Sequence, residues 1–262
     1  MKALLAQLEP QPDPELNAAR ARDVISAAGD AEIAIFPELF LGGYATRDLD
    51  TRVLAADDEL LGRIGVACAR SATAAVIGFT ERLADGACAN SVACFDTDGE
   101  LVAVYRKTHL FGAEAEAFRA GDELRLVTLA GVRCGILICF DIEFPEPARQ
   151  LARAGAELLV TASANMAPYE EDHRLASRAR ALDNRLPHVY VNRVGEESSF
   201  RFVGRSRVVG PDGEVLAELS DSEEVLAVDV PLRERPQDEV DYLRQVRPEL
   251  PVNARNDKEE AS

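Results

Sequence analysis

Three short segments each place a reactive or charged side chain directly after an apolar run. In Gly135-Ile136-Leu137-Ile138-Cys139-Phe140-Asp141-Ile142-Glu143-Phe144-Pro145, a strand delivers Cys139 to its carboxyl end, and Pro145 and Pro147 mark the start of a helix. A thiol at such a turn meets backbone N–H groups that favour thiolate and can bind an oxyanion. The competing reading is that Cys139 is one more small buried apolar residue, the commoner fate of a free cysteine. Cys68, Cys88, Cys94 and Cys134 are read in that second way. In Ile33-Ala34-Ile35-Phe36-Pro37-Glu38-Leu39-Phe40, a lone acid is set among apolar residues. Partial desolvation raises the pKa of such a carboxylate and makes it a better base; alternatively it caps a helix or pairs with an arginine. In Val104-Tyr105-Arg106-Lys107-Thr108-His109-Leu110-Phe111 two cations end a strand, one suited to the surface and the other, Lys107, to a cleft. A cysteine, a glutamate and a lysine at three strand ends are a usable set for acyl transfer: base, oxyanion partner and nucleophile. Spacing alone leaves that set undistinguished, because such residues occur in every protein.

The elements that must position these residues alternate between strand and helix. Ala3–Gln7 reads as a strand, and Asp13-Pro14 as an N-cap with proline at the first helical position of a helix ending near Gly29. Strands follow at Glu32–Phe36 and Ala74–Gly78, with a helix over Asp57–Arg70 between them. Ser91–Phe95 and Leu101–Tyr105 flank Asp96-Thr97-Asp98-Gly99-Glu100 as a hairpin. The second half repeats the order: strand Val132–Cys139, helix Pro147–Ala154, strand Leu158–Thr161, helix Glu171–Asn184 and strand His188–Asn192. A hairpin of Val203–Val209 with Glu214–Leu219 follows, and Leu226–Val230 is the last strand. The pattern predicts an α/β chain of two related layers, sheets inside and helices outside. It predicts a single domain over 1–252 with a polar, loose tail at 253–262.

The three segments resemble the signature blocks of the nitrilase superfamily of carbon–nitrogen hydrolases, in the same order. Asn90-Ser91, Gly121-Asp122, Ser163-Ala164-Asn165-Met166, Arg178-Ala179-Arg180 and Asn192-Arg193-Val194-Gly195 match the family's texture, so the resemblance covers nearly the whole chain. It implies an αββα sandwich and a homodimer that extends it to αββα–αββα. It carries over Glu38 as general base, Lys107 as oxyanion stabiliser and Cys139 as nucleophile, with the backbone N–H of Phe140 completing the oxyanion hole. A second family glutamate falls on Glu114, with Glu116 as its rival, to orient the lysine and the substrate nitrogen. No metal or organic cofactor is implied. Within the superfamily, Tyr105–Gly112, Cys139–Glu146 and Asn165–Tyr169 are most similar to small aliphatic amidases, including 5-aminopentanamidase-like enzymes. The implied reaction is hydrolysis of a small aliphatic or ω-amino carboxamide to carboxylate and ammonia. Nitrilase and N-carbamoyl amino acid hydrolase are the alternatives that use the same triad. Tyr44, Phe111, Phe140, Asn165 and Met166 are candidate pocket residues, each equally readable as core.

Composition removes other classes. A formal charge of −17 repels phosphate backbones and anionic lipid, which argues against nucleic-acid and membrane-surface partners. The run Glu170-Glu171-Asp172 reads as solvated surface. The acidic coat suits an ordinary soluble protein or one adapted to high salt. Five cysteines without a CxxC pair, and no signal peptide or apolar span, point to reduced thiols in a cytoplasmic protein. Two rivals remain at this level: a Cys–His hydrolase using His109 or His188, and a scaffold that has kept the fold without the chemistry. A zinc enzyme is a poorer fit, because the three histidines lack metal-ligand spacing.

Overall fold

A computed structural model describes residues 1–47, 49–232, 242–247 and 249. The expected tail at 253–262 lies outside the described residues, as does the end of the expected 1–252 domain. The elements run β1 (Lys2–Gln7), α1 (Pro14–Ser26), β2 (Ile33–Ile35), β3 (Val53–Leu54), α2 (Glu59–Ser71), β4 (Ala74–Arg82), β5 (Cys88–Phe95) and β6 (Leu101–Arg106). The chain continues through α3 (Glu114–Ala117), β7 (Arg125–Leu129), β8 (Val132–Ile138), a 3-10 turn at Cys139–Glu143, α4 (Pro145–Arg153), β9 (Leu158–Ser163), α5 (Glu170–Asn184) and β10 (His188–Asn192). It goes on with β11 (Val194–Glu197), β12 (Phe200–Val203), β13 (Arg207–Val209), β14 (Val215–Glu218), β15 (Glu224–Asp229) and a short α6 (Tyr242–Gln245).

The first sheet orders its strands β15-β1-β2-β4-β5-β6, with β3 beside β4; the second runs β14-β13-β10-β9-β8-β7. Each sheet has three parallel strands at its centre, an antiparallel strand on one flank and an antiparallel hairpin on the other. The two halves are therefore built alike, as the repeated element order predicts. One exchange crosses between them: β15, from the end of the chain, pairs with β1 in register Lys2 to Asp229.

Alternation along the strands divides the core into layers. Leu5, Ile33, Ile35, Val76 and Val92 of the first sheet meet Ile136, Ile138, Val160 and Val189 of the second in one buried cluster. The opposite face of the first sheet, through Ala34, Ala75 and Ile77, packs on Ala18, Ala21 and Ile25 of α1 and on Leu61 and Ile64 of α2. The opposite face of the second, through Leu137 and Leu159, packs on Ala148 and Leu151 of α4 and Ala176 of α5. The result is the expected αββα sandwich.

Several elements differ from the sequence expectation. Val203–Val209 is not one strand: Gly204 and Arg205 adopt left-handed backbone (φ 62° and 60°) and split it between β12 and β13. β7 and the β11–β12 hairpin were not expected. Glu170, Glu171 and Asp172 are not merely coat; they fill the first turn of α5, where carboxylates complement the helix dipole. Among the described residues, no helix is long and apolar enough to cross a membrane.

Candidate active site

Glu38, Lys107 and Cys139 sit just beyond β2, β6 and β8, on loops at the carboxyl ends of strands from both sheets. Lys107 is pinned by its backbone, its N–H donating to Asn90 O at 2.8 Å and its carbonyl accepting from Gly121 N–H at 2.8 Å. The ammonium is fully buried between two carboxylates. Nζ donates to Glu38 Oε1 at 2.6 Å and meets Glu114 Oε1 at 3.0 Å and Oε2 at 2.8 Å. Asn90 Nδ2 donates to the same Glu38 oxygen at 2.7 Å, while Glu114 accepts Tyr44 OH at 2.8 Å and Phe111 N–H at 2.9 Å. Glu38 Oε2 is buried and without a hydrogen-bond partner among the described residues. Such an orphaned acceptor is costly unless it has work to do.

The Glu38 loop fits because residue 78 is glycine. A Cβ at Gly78 would run into Pro37 O, Leu39 N and the Glu38 carbonyl carbon. On the other side Glu38 N–H reaches Ser163 O at 3.3 Å, tying the loop to β9 of the second sheet.

Cys139 adopts left-handed backbone (φ 44°), a strained conformation for a residue with a Cβ, where β8 turns into the 3-10 segment. Burial, reinforced by the nearby Glu38 charge, pushes its thiol well above the ordinary value, against the opposing pull of Lys107 and of the neighbouring Ser163 and Ala164. The thiol therefore rests protonated. Burial, opposed by Lys107 and reinforced by Glu114, also raises Glu38 above the usual carboxylate range. Burial alone would lower Lys107, yet Glu114 and Glu38 hold it well above its ordinary value, so it stays a cation. A protonated thiol, a carboxylate tuned toward neutrality and a permanent cation can remove a proton during attack and stabilise the oxyanion that forms.

A cavity of about 20 Å³ opens over Cys139. All five candidate pocket residues line it: Tyr44, Phe111, Phe140, Asn165 and Met166. Glu143, Ala164, Tyr169 and His173, which the sequence did not single out, complete the wall.

The carbon–nitrogen hydrolase family model matches residues 2–237. This chain belongs to the carbon–nitrogen hydrolase family. It is 36% identical to an (R)-stereoselective amidase of Pseudomonas sp. over 93% of its own length and 90% of the relative's. It is 40% identical to the hydrolase in the pqqF 5′ region of Pseudomonas protegens, over 83% and 78% of the two chains. Among solved structures, an amidase from Nesterenkonia sp. superposes with a TM-score of 0.84 at 29% identity, covering 94% of this chain and 93% of that one. Further structures show a glutamate-to-glutamine variant of the Nesterenkonia amidase with the acetamide moiety of fluoroacetamide added covalently at its active-site cysteine, and a cysteine-to-alanine variant in complex with butyramide.

Within this carbon–nitrogen hydrolase, Asp141 latches the cysteine turn to the lysine loop. Its buried carboxylate accepts Ile138 N–H at 2.9 Å, Tyr105 OH at 2.8 Å, Thr108 Oγ1 at 2.9 Å and His109 N–H at 3.0 Å. The sequence signal for it was available, since a charged residue two places beyond Cys139 interrupts an apolar stretch. Tyr44 entered the sequence reading as a candidate pocket residue, and Asn90 and Ser163 through the resemblance; the contacts of Tyr44 with Glu114 and of Asn90 with Glu38 join segments far apart in the chain.

The histidines of the Cys–His alternative face elsewhere. His109 Nδ1 contacts Asp141 Oδ1 at 2.9 Å, and its ring stacks on Phe144 with centroids 4.2 Å apart. His188 is buried against Thr161 and the Ser177 carbonyl, and burial pushes its pKa down to about 4. Neither lines the cavity over Cys139. Of the two glutamates, Glu114 is buried on Lys107 and Glu116 is exposed. Burial pushes Cys68 and Cys94 up to about 12, and Cys134 higher still, and none of the three lines the cavity that Cys139 faces.

Proposed function

We propose that this hydrolase is an amidase, releasing ammonia from a small aliphatic or ω-amino carboxamide through a thioester on Cys139. The observation that carries the reading is the single buried cation between two buried carboxylates, beside a thiol at the wall of a small cavity. Glu38 Oε2 takes the thiol proton as Sγ attacks the amide carbon. The carbonyl electron pair moves onto oxygen, where Lys107 Nζ and the N–H of Phe140 receive the charge. Protonated Glu38 hands its proton to the nitrogen as the C–N bond breaks, and ammonia leaves. A water then gives a proton to Glu38, attacks the thioester, and the collapsing intermediate expels the sulfur, which recovers the proton. Glu114 holds the lysine and orients the departing nitrogen.

The rings and small apolar side chains on the cavity wall suit a short aliphatic acyl group. The small amides bound by the Nesterenkonia amidase support the same size class. A homodimer in the cytoplasm belongs to the same reading. It is supported by Leu175 and Leu182, seven residues apart and so on one face of α5, both exposed, and by five free thiols. No nucleic acid or membrane partner enters it.

Ammonia release across short amides, ω-amino amides, nitriles and N-carbamoyl amino acids tests the assignment. Primary amides of two to six carbons are expected to give the highest kcat/KM. A nitrile or carbamoyl compound turned over faster than every amide would overturn it.

A further inference from the structure

Among the described residues Glu143 is the only carboxylate on the cavity wall, and its position is built rather than incidental. It ends the 3-10 segment that begins at Cys139, so the two Cα atoms stand about 8 Å apart along the axis at about 2 Å per residue. Its Oε1 lies 3.2 Å from His173 Nε2. His173 is itself buried on α5, its Nδ1 2.9 Å from Tyr190 OH, and Tyr190 OH lies 3.0 Å from Ser163 Oγ. Burial, against the pull of Glu143, lowers the His173 pKa, so the ring is neutral near pH 7. One tautomer satisfies the chain: Tyr190 O–H donates to Nδ1 and Nε2–H donates to Glu143. The carboxylate is thus oriented by a neutral donor. The rest of the wall supplies rings, small apolar groups and an amide, and the Asn165 amide already donates to Tyr169 O at 3.0 Å.

We infer that Glu143 is the specificity-determining residue that pairs with a cationic amine on the acyl chain, making ω-amino carboxamides the preferred substrates. The inference rests on the amidase reading above. An ammonium entering this site meets a half-buried, pre-oriented carboxylate, a stronger partner than one on the open surface. An ω-carboxylate in the same place meets like charge. A neutral alkyl end leaves the carboxylate partly desolvated without compensation.

The test is a ratio within each enzyme: kcat/KM for 5-aminopentanamide over that for the uncharged hexanamide, and over glutaramate with its carboxylate end. In the native protein both ratios are expected to exceed about tenfold, and Glu143→Gln, which can still accept from His173, is expected to bring the first close to one. Pentylammonium is expected to inhibit butyramide hydrolysis more strongly than 1-pentanol, a comparison that needs no variant. Equal kcat/KM for the amine and hexanamide in the native protein, a ratio unchanged in Glu143→Gln, or equal inhibition by the two pentyl compounds would overturn the inference. Failure of the amidase reading looks different: none of the amides would release ammonia.

Discussion

Replacing Lys107 by alanine is expected to abolish detectable turnover and to destabilise the fold by about 3–5 kcal/mol at neutral pH. Both effects come from one geometry. The ammonium is the shared counter-charge of Glu38 and Glu114, all three being buried. Deleting it leaves two carboxylates facing each other in a low-dielectric site, the costliest way to break a buried ion pair. It also removes a donor aimed at the oxyanion, an interaction worth about 10²–10³ in rate where single donors have been deleted. The two losses can be separated. Lys107→Ala combined with Glu114→Gln removes one of the stranded charges, so denaturant unfolding should show stability partly restored while ammonia release stays at background. Near-normal activity in Lys107→Ala, with loss in His109→Ala, would instead support the Cys–His alternative.

Glu38→Gln is expected to lower kcat/KM by about 10²–10⁴, the range for loss of a positioned general base. The fold should persist, since the amide oxygen can still accept from Lys107 Nζ and Asn90 Nδ2. The pH profile distinguishes a base from a positioning group. Burial raises the Glu38 pKa, and the base must be ionised to accept the thiol proton, so native activity falls as pH drops through a value above the ordinary carboxylate range. That acid limb should vanish in the variant. An unchanged acid limb with a small rate loss would mean that another group removes the proton.

Much of this arrangement is legible in the residues, and the parts that are not have physical reasons. Strand ends at Ile35, Arg106 and Ile138 lie where apolar runs approach proline or charge, and each is just before a key side chain. The doubled strand–helix order foretells two sheets with helices outside. What it cannot foretell is that β15 returns to pair with β1, because strand partners far apart in sequence leave no local mark. The resemblance favours Glu114 over Glu116, but the local pattern by itself does not separate them. Both fall on the single turn of α3, about 200° apart around the axis, so one must point inward and the other out. Only the position of Lys107 decides which. Cys134 and Cys139 lie five residues apart, yet the first is enclosed in β8 and the second is set on a strained turn held by Asp141. His173 and Tyr190 gave no signal at all, since a lone histidine on a helix and a tyrosine in a strand are ordinary core residues until a carboxylate is found at the end of their chain.

The central claim is that Cys139 carries the acyl group, and intact-protein and peptide mass spectrometry of the enzyme treated with fluoroacetamide tests it most directly. One acetamide adduct per chain, mapped to Cys139 while Cys68, Cys88, Cys94 and Cys134 remain unmodified, is the expected result, with ammonia release from butyramide falling in proportion. Label on any other thiol with Cys139 untouched, or full labelling of Cys139 with activity intact, would contradict it.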